Sequence, residues 1–120
     1  MTCTFFGHKD APKEKEPTLK SVLIDLIENK NVGTFYVGNN GSFDNMVISL
    51  LSELSSTYPI KYYVVLAYML KKELHYSKQT VLPEGIENVP PRFAISYRNK
   101  WMIEQSDFVV TYVTRSWGGA

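Results

Sequence analysis

The chain has 120 residues, of which 44% are hydrophobic and 21% charged, and its formal net charge is +1. This length fits one domain over residues 1–120, and the apolar content is too high for intrinsic disorder. The balanced charge gives no reason to expect nucleic acid or an anionic membrane as a partner. No apolar run approaches the roughly 20 residues of a membrane span, and the first residues lack the features of a secretory signal. We therefore expect a cytoplasmic protein.

The sequence offers few side chains for metal or redox chemistry. It contains one cysteine and two histidines, too few for an internal disulfide or a persuasive zinc site. Cys3 lies in a run of β-favouring residues, where a buried and unreactive thiol is expected. We predict neither a metal nor a bound cofactor.

The first half of the chain alternates between two periodicities. The run 2–7 favours a strand and ends in glycine. Apolar residues from Leu19 to Ile27 recur at helical spacing, and Pro17 suits the first turn of that helix. The run 34–37 predicts a second strand. A second apolar stripe follows from Phe43 to Leu54, and Ser42 is placed to cap this second helix.

The second half continues the alternation with one interruption. Residues 60–68 are nearly all apolar or aromatic, which is typical of a central strand covered on both sides. No period holds over residues 69–91. Residues 91–105 predict a third helix with Ala94, Tyr97 and Trp101 on one face, and 108–113 predict a fourth strand. The series indicates an α/β fold: a mainly parallel sheet of about four strands between two helix layers.

In such a sheet, ligands bind beyond the carboxyl ends of the strands. Glycines lie at three predicted strand ends: Gly7 before His8, Gly38 and Gly41 before the second helix, and the Gly118-Gly119 pair near the end of the sequence. Glycine lets the backbone approach a phosphate closely, and a following helix directs free N–H groups at it. The segment from Gly38 to Ser42 is neither GxGxxG nor a P-loop, and a simple turn is the alternative interpretation.

Two side chains near these glycines suit a polar ligand. The imidazole of His8 is placed to face the crevice, although an exposed loop histidine fits the sequence as well. Arg98 interrupts the apolar face of the third helix. An arginine there is usually part of a solvated face, but near the strand ends it is able to hold a phosphate by a two-pronged contact.

Several segments together resemble a known superfamily: Phe6–Lys9, Tyr36–Asp44, Arg98–Met102 with Ser106 and Asp107, and Ser116–Ala120. Their residues and order are similar to the SLOG superfamily of Rossmann-like nucleotide-binding domains. Relatives include the Lonely Guy cytokinin-activating phosphoribohydrolases and the DNA-processing protein DprA. The resemblance covers essentially the whole chain for small stand-alone bacterial members, and only motifs for the enzymes.

The resemblance implies a Rossmann-like three-layer sandwich that lacks the last helix and strand of the family. Arg98 matches the catalytic arginine of the Lonely Guy enzymes, and Trp117–Ala120 is similar to their phosphate-binding loop. The catalytic glutamate of those enzymes follows that loop, and the sequence has no matching residue up to Ala120. An edge strand left uncovered in this way predicts association, such as a homodimer.

We therefore expect a sensor-type domain that binds a nucleotide or a nucleotide-derived ligand. The predicted ligand-binding residues are Gly7, His8, Gly38, Asn39, Gly41, Ser42, Asp44, Arg98, Arg115, Ser116, Gly118 and Gly119. Phosphate is expected on main-chain N–H groups of the glycine turns, with Arg98 neutralising charge and Arg115 assisting. Asn39 and Asp44 are expected to bind ribose hydroxyls.

Two alternatives remain open. The first is an enzyme that hydrolyses an N-glycosidic bond, with Arg98, Asp44 and Glu104 as its catalytic residues, because a carboxylate is needed to stabilise an oxocarbenium-like centre. The second is a structural or interaction module without a ligand, in which the glycines form turns and the aromatic residues form an interface.

Overall fold

The computed structural model of the protein describes residues 1–7, 12–39, 41–67 and 80–112. Within these residues the strands are β1 (Thr2–Gly7), β2 (Thr34–Val37), β3 (Lys61–Val65), β4 (Thr80–Val81) and β5 (Phe108–Tyr112). The α-helices are α1 (Glu16–Asn29), α2 (Ser42–Leu54) and α3 (Pro91–Glu104). Within the described residues, short 3₁₀ helices cover Lys13–Lys15 and Ile86–Asn88.

The strands form one parallel sheet in the order β4-β3-β2-β1-β5. The register aligns Cys3 of β1 with Phe35 of β2 and with Phe108 of β5. This topology confirms the predicted α/β class and the parallel sheet of a Rossmann-like sandwich. Strand β4 lies within residues 69–91, for which the sequence predicted no element. Its two residues are too few to produce an alternating pattern.

One face of the sheet carries the hydrocarbon core. Side chains alternate along a strand, so Cys3 and Phe5 share a face with Phe35 and Val37. These residues form one buried cluster with the apolar faces of α1 and α2, including Leu23. The thiol of Cys3 is fully buried, and desolvation raises its pKa to about 12. The prediction of a buried cysteine is confirmed.

The opposite face packs against α3 and is more polar. Tyr36 projects from β2 to this side, and its ring contacts Trp101 of α3 edge-on at a centroid distance of 5.2 Å. The buried residues of α3 are Ala94, Arg98 and Met102. Of the predicted face, Ala94 is buried and Trp101 contacts the sheet, whereas Tyr97 and Trp101 are only half-buried and the centre of the buried face is Arg98. An arginine takes the central buried position because it finds polar partners there.

At the amino edge of the sheet, opposite the crevice, hydrogen bonds join the start of β1 to the residue that precedes β5. Asp107 precedes β5 and binds Thr2 in both directions: its N–H donates to the Thr2 carbonyl at 2.8 Å, and its carboxylate accepts from the Thr2 N–H at 2.9 Å. The hydroxyl of Ser106 donates to the Met102 carbonyl at the end of α3. Helix α3 therefore runs antiparallel to the strands, with its first turn toward the carboxyl edge. No helix within the described residues is long and apolar enough to cross a membrane.

Candidate functional site

The candidate site lies at the carboxyl edge of the sheet, directly after β2. A Cβ atom added to Gly38 would lie 3.0 Å from Cζ and Nη1 of Arg98 and 3.0 Å from Oδ2 of Asp44. The guanidinium and the carboxylate are therefore at most about 6 Å apart, since each lies 3.0 Å from the same point. The backbone φ of Gly38 is outside the left-handed region. Glycine is favoured here because two side chains approach the main chain closely, and not because of its backbone conformation.

Arg98 reaches this position from the middle of α3. Side chains of a helix lean toward its N-terminus, and the N-terminus of α3 points toward the carboxyl edge. The arginine is only 4% exposed. Its Nε and Nη2 donate to Oδ1 of Asn99 at 3.2 and 3.0 Å, and its Nη1 donates to Oδ1 of Asn39 at 3.4 Å. The two-pronged contact predicted for a phosphate is thus made with the amide of Asn99.

Asp44 lies in the first turn of α2 and is 9% exposed. A carboxylate is favoured there because the helix N-terminus carries partial positive charge. The structure therefore combines a buried cation, a buried anion and a helix N-terminus around Gly38. This arrangement holds fixed charges in a region from which most water is excluded, where electrostatic interactions are stronger than in solvent.

The start of α2 differs from the prediction. Gly41 is the N-cap residue, with φ of 115°, and Ser42 is the first helical residue. Because Gly41 occupies the N-cap position, the prediction that Ser42 is the cap residue is wrong. A left-handed φ at the cap strongly favours glycine, which explains the helix start one residue earlier. Gly41 is half-buried and Ser42 is exposed.

Gly7 serves the packing of an aromatic pair at the end of β1. A Cβ on Gly7 would lie 2.5 Å from the ring of Phe43, so the ring rests directly on the main chain. The same ring stacks on Tyr112 of β5 at a centroid distance of 6.1 Å and an interplanar angle of 12°. The predicted role of Gly7 was close approach to a ligand, and the described contact is close approach to Phe43.

Other predicted site residues fall elsewhere. The structure brings together Gly38, Asn39, Asp44 and Arg98, with Gly41 and Ser42 at the adjoining helix start. Glu104 is exposed and is the last residue of α3, at the end of that helix remote from the crevice, so it does not join this cluster. The remaining predicted residues, His8, Arg115, Ser116, Gly118 and Gly119, lie outside the described residues.

Two partners of the site residues were not predicted from the sequence. Asn99 adjoins Arg98 in the chain, but nothing in the pattern indicated that it would accept both donors of the guanidinium. The Phe43–Tyr112 stack joins residues of different elements, and neither position carries a distinguishing pattern. Among the described residues, no group of three or more His, Cys, Asp or Glu side chains is placed to hold a metal ion.

Comparisons of the chain with protein-family models, with curated protein sequences and with solved structures each found no match.

Proposed function

We propose that this protein binds a nucleotide or a nucleotide-derived ligand in the crevice beside Gly38, as a cytoplasmic sensor-type domain of the SLOG kind. The supporting observation is the buried Arg98 at the carboxyl edge of a parallel sheet, within 3.0 Å of the Cβ position of Gly38. Ligands of open α/β sheets bind at this edge. The guanidinium there supplies positive charge and hydrogen-bond donors for an anionic ligand, beside the carboxylate of Asp44.

The burial of Arg98 is costly for stability and is therefore informative about function. Removing a charge from water carries a penalty of several kcal/mol, and apolar side chains of similar volume often serve a core equally well. Charged groups held buried at a cleft are candidates for functional sites on this ground. The polar partners Asn39 and Asn99 offset part of the cost and fix the guanidinium in one orientation.

In the proposed complex the residues have separate roles. Main-chain N–H groups from Gly38 to Ser42 hold the phosphate at the start of α2, where the helix dipole adds attraction. Arg98 supplies positive charge near the phosphate, and its hydrogen bonds to Asn99 hold the guanidinium in place. The amide of Asn39 donates or accepts hydrogen bonds at the ribose hydroxyls, and the carboxylate of Asp44 accepts them. The proposed site also includes His8, Arg115, Ser116, Gly118 and Gly119, which lie outside the described residues.

A thermal-shift experiment tests this proposal. Nucleoside monophosphates, triphosphates and cyclic nucleotides are added to the wild type, and the bound ligand is expected to raise the melting temperature. At a hundred times the dissociation constant the gain is about 2.7 kcal/mol, or roughly 10 °C for a domain of this size. Arg98→Met removes the buried charge and is expected to abolish the shift.

Arg92→Met is the matched control, because Arg92 lies on the same helix and is exposed. This variant is expected to keep the full shift. Should Arg98→Met not fold, Asn39→Ala replaces it, since Asn39 lies in a half-buried turn and contacts the same guanidinium. The proposal is contradicted if no nucleotide raises the melting temperature of the wild type. It is also contradicted if the shift is undiminished in Arg98→Met or in its replacement Asn39→Ala.

The position of Asp44 supports a second candidate, hydrolysis of an N-glycosidic bond. Its carboxylate lies within the same cluster as Arg98, where it is placed to stabilise positive charge at a ribose carbon. The experiment is release of free base from nucleoside monophosphates by the wild type and by Asp44→Asn. Release that the substitution abolishes supports an enzyme, and binding without release supports the sensor.

A further inference from the structure

An apolar hollow lies on the other side of the start of α2 from the Gly38 cluster. Its volume is about 120 Å³, and it opens to solvent between α1, α2 and β5. Lys15 and Thr18 lie at its α1 side with Leu19 and Val22, and the remaining lining comes from Phe43, Met46, Val110, Thr111 and Tyr112. Apolar atoms dominate this lining, and Lys15 is the only charged residue among those that the structure describes there.

Two aromatic rings line the hollow, and their packing holds them in place. The ring of Phe43 rests on Gly7, whose missing side chain makes this contact possible. Its stacking on Tyr112 holds both rings within 12° of parallel. Both residues also line the hollow. Because Phe43 is only 4% exposed, a flat ring in the hollow would contact mainly the half-buried Tyr112, and contact between rings tolerates many ring chemistries.

The size of the hollow fits one aromatic ring. An enclosed apolar cavity of about 150 Å³ binds benzene, whereas this hollow has about 120 Å³ and accommodates a ring with part of it at the open mouth. Because the hollow is open on one side, a bicyclic base can enter with one ring and leave its other ring at the mouth. There the ammonium of Lys15 is able to donate a hydrogen bond to a ring nitrogen or a carbonyl oxygen.

The hollow and the Gly38 cluster are linked through consecutive residues. Phe43 and Asp44 follow each other in the first turn of α2, and their side chains serve the two sites separately. We infer that the hollow beside Phe43 and Tyr112 is a binding pocket for a flat aromatic ring, such as the base of a nucleotide. As a base pocket, this inference rests on the function proposed above. It defines a site of two parts, in which the ring and the phosphate are bound on opposite sides of one helix start.

Blocking the mouth of the hollow tests this inference. Val22 lines the hollow and is 38% exposed, so Val22→Trp adds bulk at the mouth without burying it in the core. Val109→Trp is the matched control: Val109 is 46% exposed and does not line the hollow. Adenine, adenosine, adenosine monophosphate and ribose 5-phosphate are titrated against each protein by calorimetry or by nuclear magnetic resonance.

Val22→Trp is expected to raise the dissociation constants of adenine, adenosine and adenosine monophosphate at least ten-fold, and to leave that of ribose 5-phosphate unchanged. Val109→Trp is expected to change none of them more than two-fold. Thr18→Trp, one helical turn away at the same mouth, is expected to reproduce the effect of Val22→Trp. Unchanged adenine binding in both mouth variants, or no adenine binding by the wild type, overturns the inference.

The same titrations separate this inference from the proposed function. If adenosine monophosphate binds through Arg98 with equal affinity in the wild type and in Val22→Trp, the proposed function stands and the ring pocket is overturned. Adenine binding that Val22→Trp abolishes, with no gain in affinity from ribose or phosphate, supports the ring pocket and contradicts the proposed function.

Discussion

The two faces of the sheet are built from different chemistry. The face toward α1 and α2 is closed by hydrocarbon side chains, represented by Phe35 and Leu23. The face toward α3 holds Tyr36, Trp101 and the buried Arg98 instead. The first face could be predicted from the sequence because its apolar residues recur regularly. The second face carries the candidate site, since an arginine replaces hydrocarbon at its centre.

This contrast also separates stability from function. Hydrocarbon packing contributes in proportion to the apolar area removed from water and is insensitive to the identity of a ligand. A buried guanidinium contributes little net stability after its desolvation is counted, but it provides a fixed charge and fixed donors. The hydrocarbon face is therefore expected to determine whether the chain folds, and the buried charge on the α3 face where an anionic group binds.

The largest expected effect is on the hydrocarbon face. Phe35 is fully buried there, and Phe35→Ala is expected to lower the free energy of unfolding by about 3–5 kcal/mol through lost transfer energy and a cavity. Tyr36, the next residue, is half-buried on the α3 face, so Tyr36→Ala is expected to cost about half as much. Urea unfolding measures both, and equal losses would contradict the assignment of the two faces.

The next largest effect is expected for a substitution at Gly38, where there is little space for a side chain. In Gly38→Ala the new methyl would lie 3.0 Å from the guanidinium and the carboxylate, so these groups must move. We expect a loss of about 1–3 kcal/mol and a loss of nucleotide binding. Gly33→Ala is the matched control, because among the described residues no atom lies within 4 Å of its added Cβ. A Gly38→Ala protein as stable as Gly33→Ala would show that Arg98 is not held against the main chain.

The pKa of the Cys3 thiol reports how strongly the hydrocarbon face disfavours a charged group. Burial raises its pKa from 9.0 to about 12, so the unfolded chain releases this proton at a lower pH than the folded one. The stabilisation is complete below pH 9 and is lost as the pH rises toward 12. We expect about 1 kcal/mol less stability at pH 10 from this group. Cys3→Ala should lack this component, and an identical pH dependence in both proteins would contradict it.

The smallest effect is expected at Tyr58, which is partly buried at the margin of the hydrocarbon core. The hydroxyl of Tyr58 donates to the carboxylate of Glu28, and this hydrogen bond raises the pKa of the tyrosine above 10.0. Glu28→Gln is expected to lower that pKa toward its ordinary value. Ultraviolet absorbance of the tyrosinate during alkaline titration follows the change. An unaltered titration in Glu28→Gln would place the hydroxyl away from the carboxylate.

The sequence was sufficient for elements whose signals are local. The bounds of β2 and the extents of α1 and α2 follow from alternation, helical spacing and Pro17, all of which act between near neighbours in the chain. Strand β4 could not be predicted, because it consists of two residues whose strand structure depends on pairing with β3. The start of α2 was placed one residue late, since the capping preference for serine competes with the left-handed φ of Gly41.

The candidate site was predictable only in part. The rule that ligands bind at strand ends selected Gly38, Asn39 and Asp44 correctly as neighbours. The burial of Arg98 was not predictable, because its partner Asn39 lies 59 residues away in the chain. An arginine at helical spacing looks the same in a sequence whether it is solvated or enclosed. Its enclosure depends on contacts that exist only after the sheet has formed.

The most direct test of the central claim is a nuclear magnetic resonance titration of the wild type with adenosine monophosphate, followed through backbone amide resonances. Amides of Gly38, Asn39, Gly41 and Asp44 are expected to shift with one common dissociation constant, and the side-chain Nε–H of Arg98 is expected to shift with them. Amides of the amino edge, such as those of Thr2 and Asp107, are expected to stay in place. Saturable shifts confined to other regions, or no shifts at all, would contradict a nucleotide site beside Gly38.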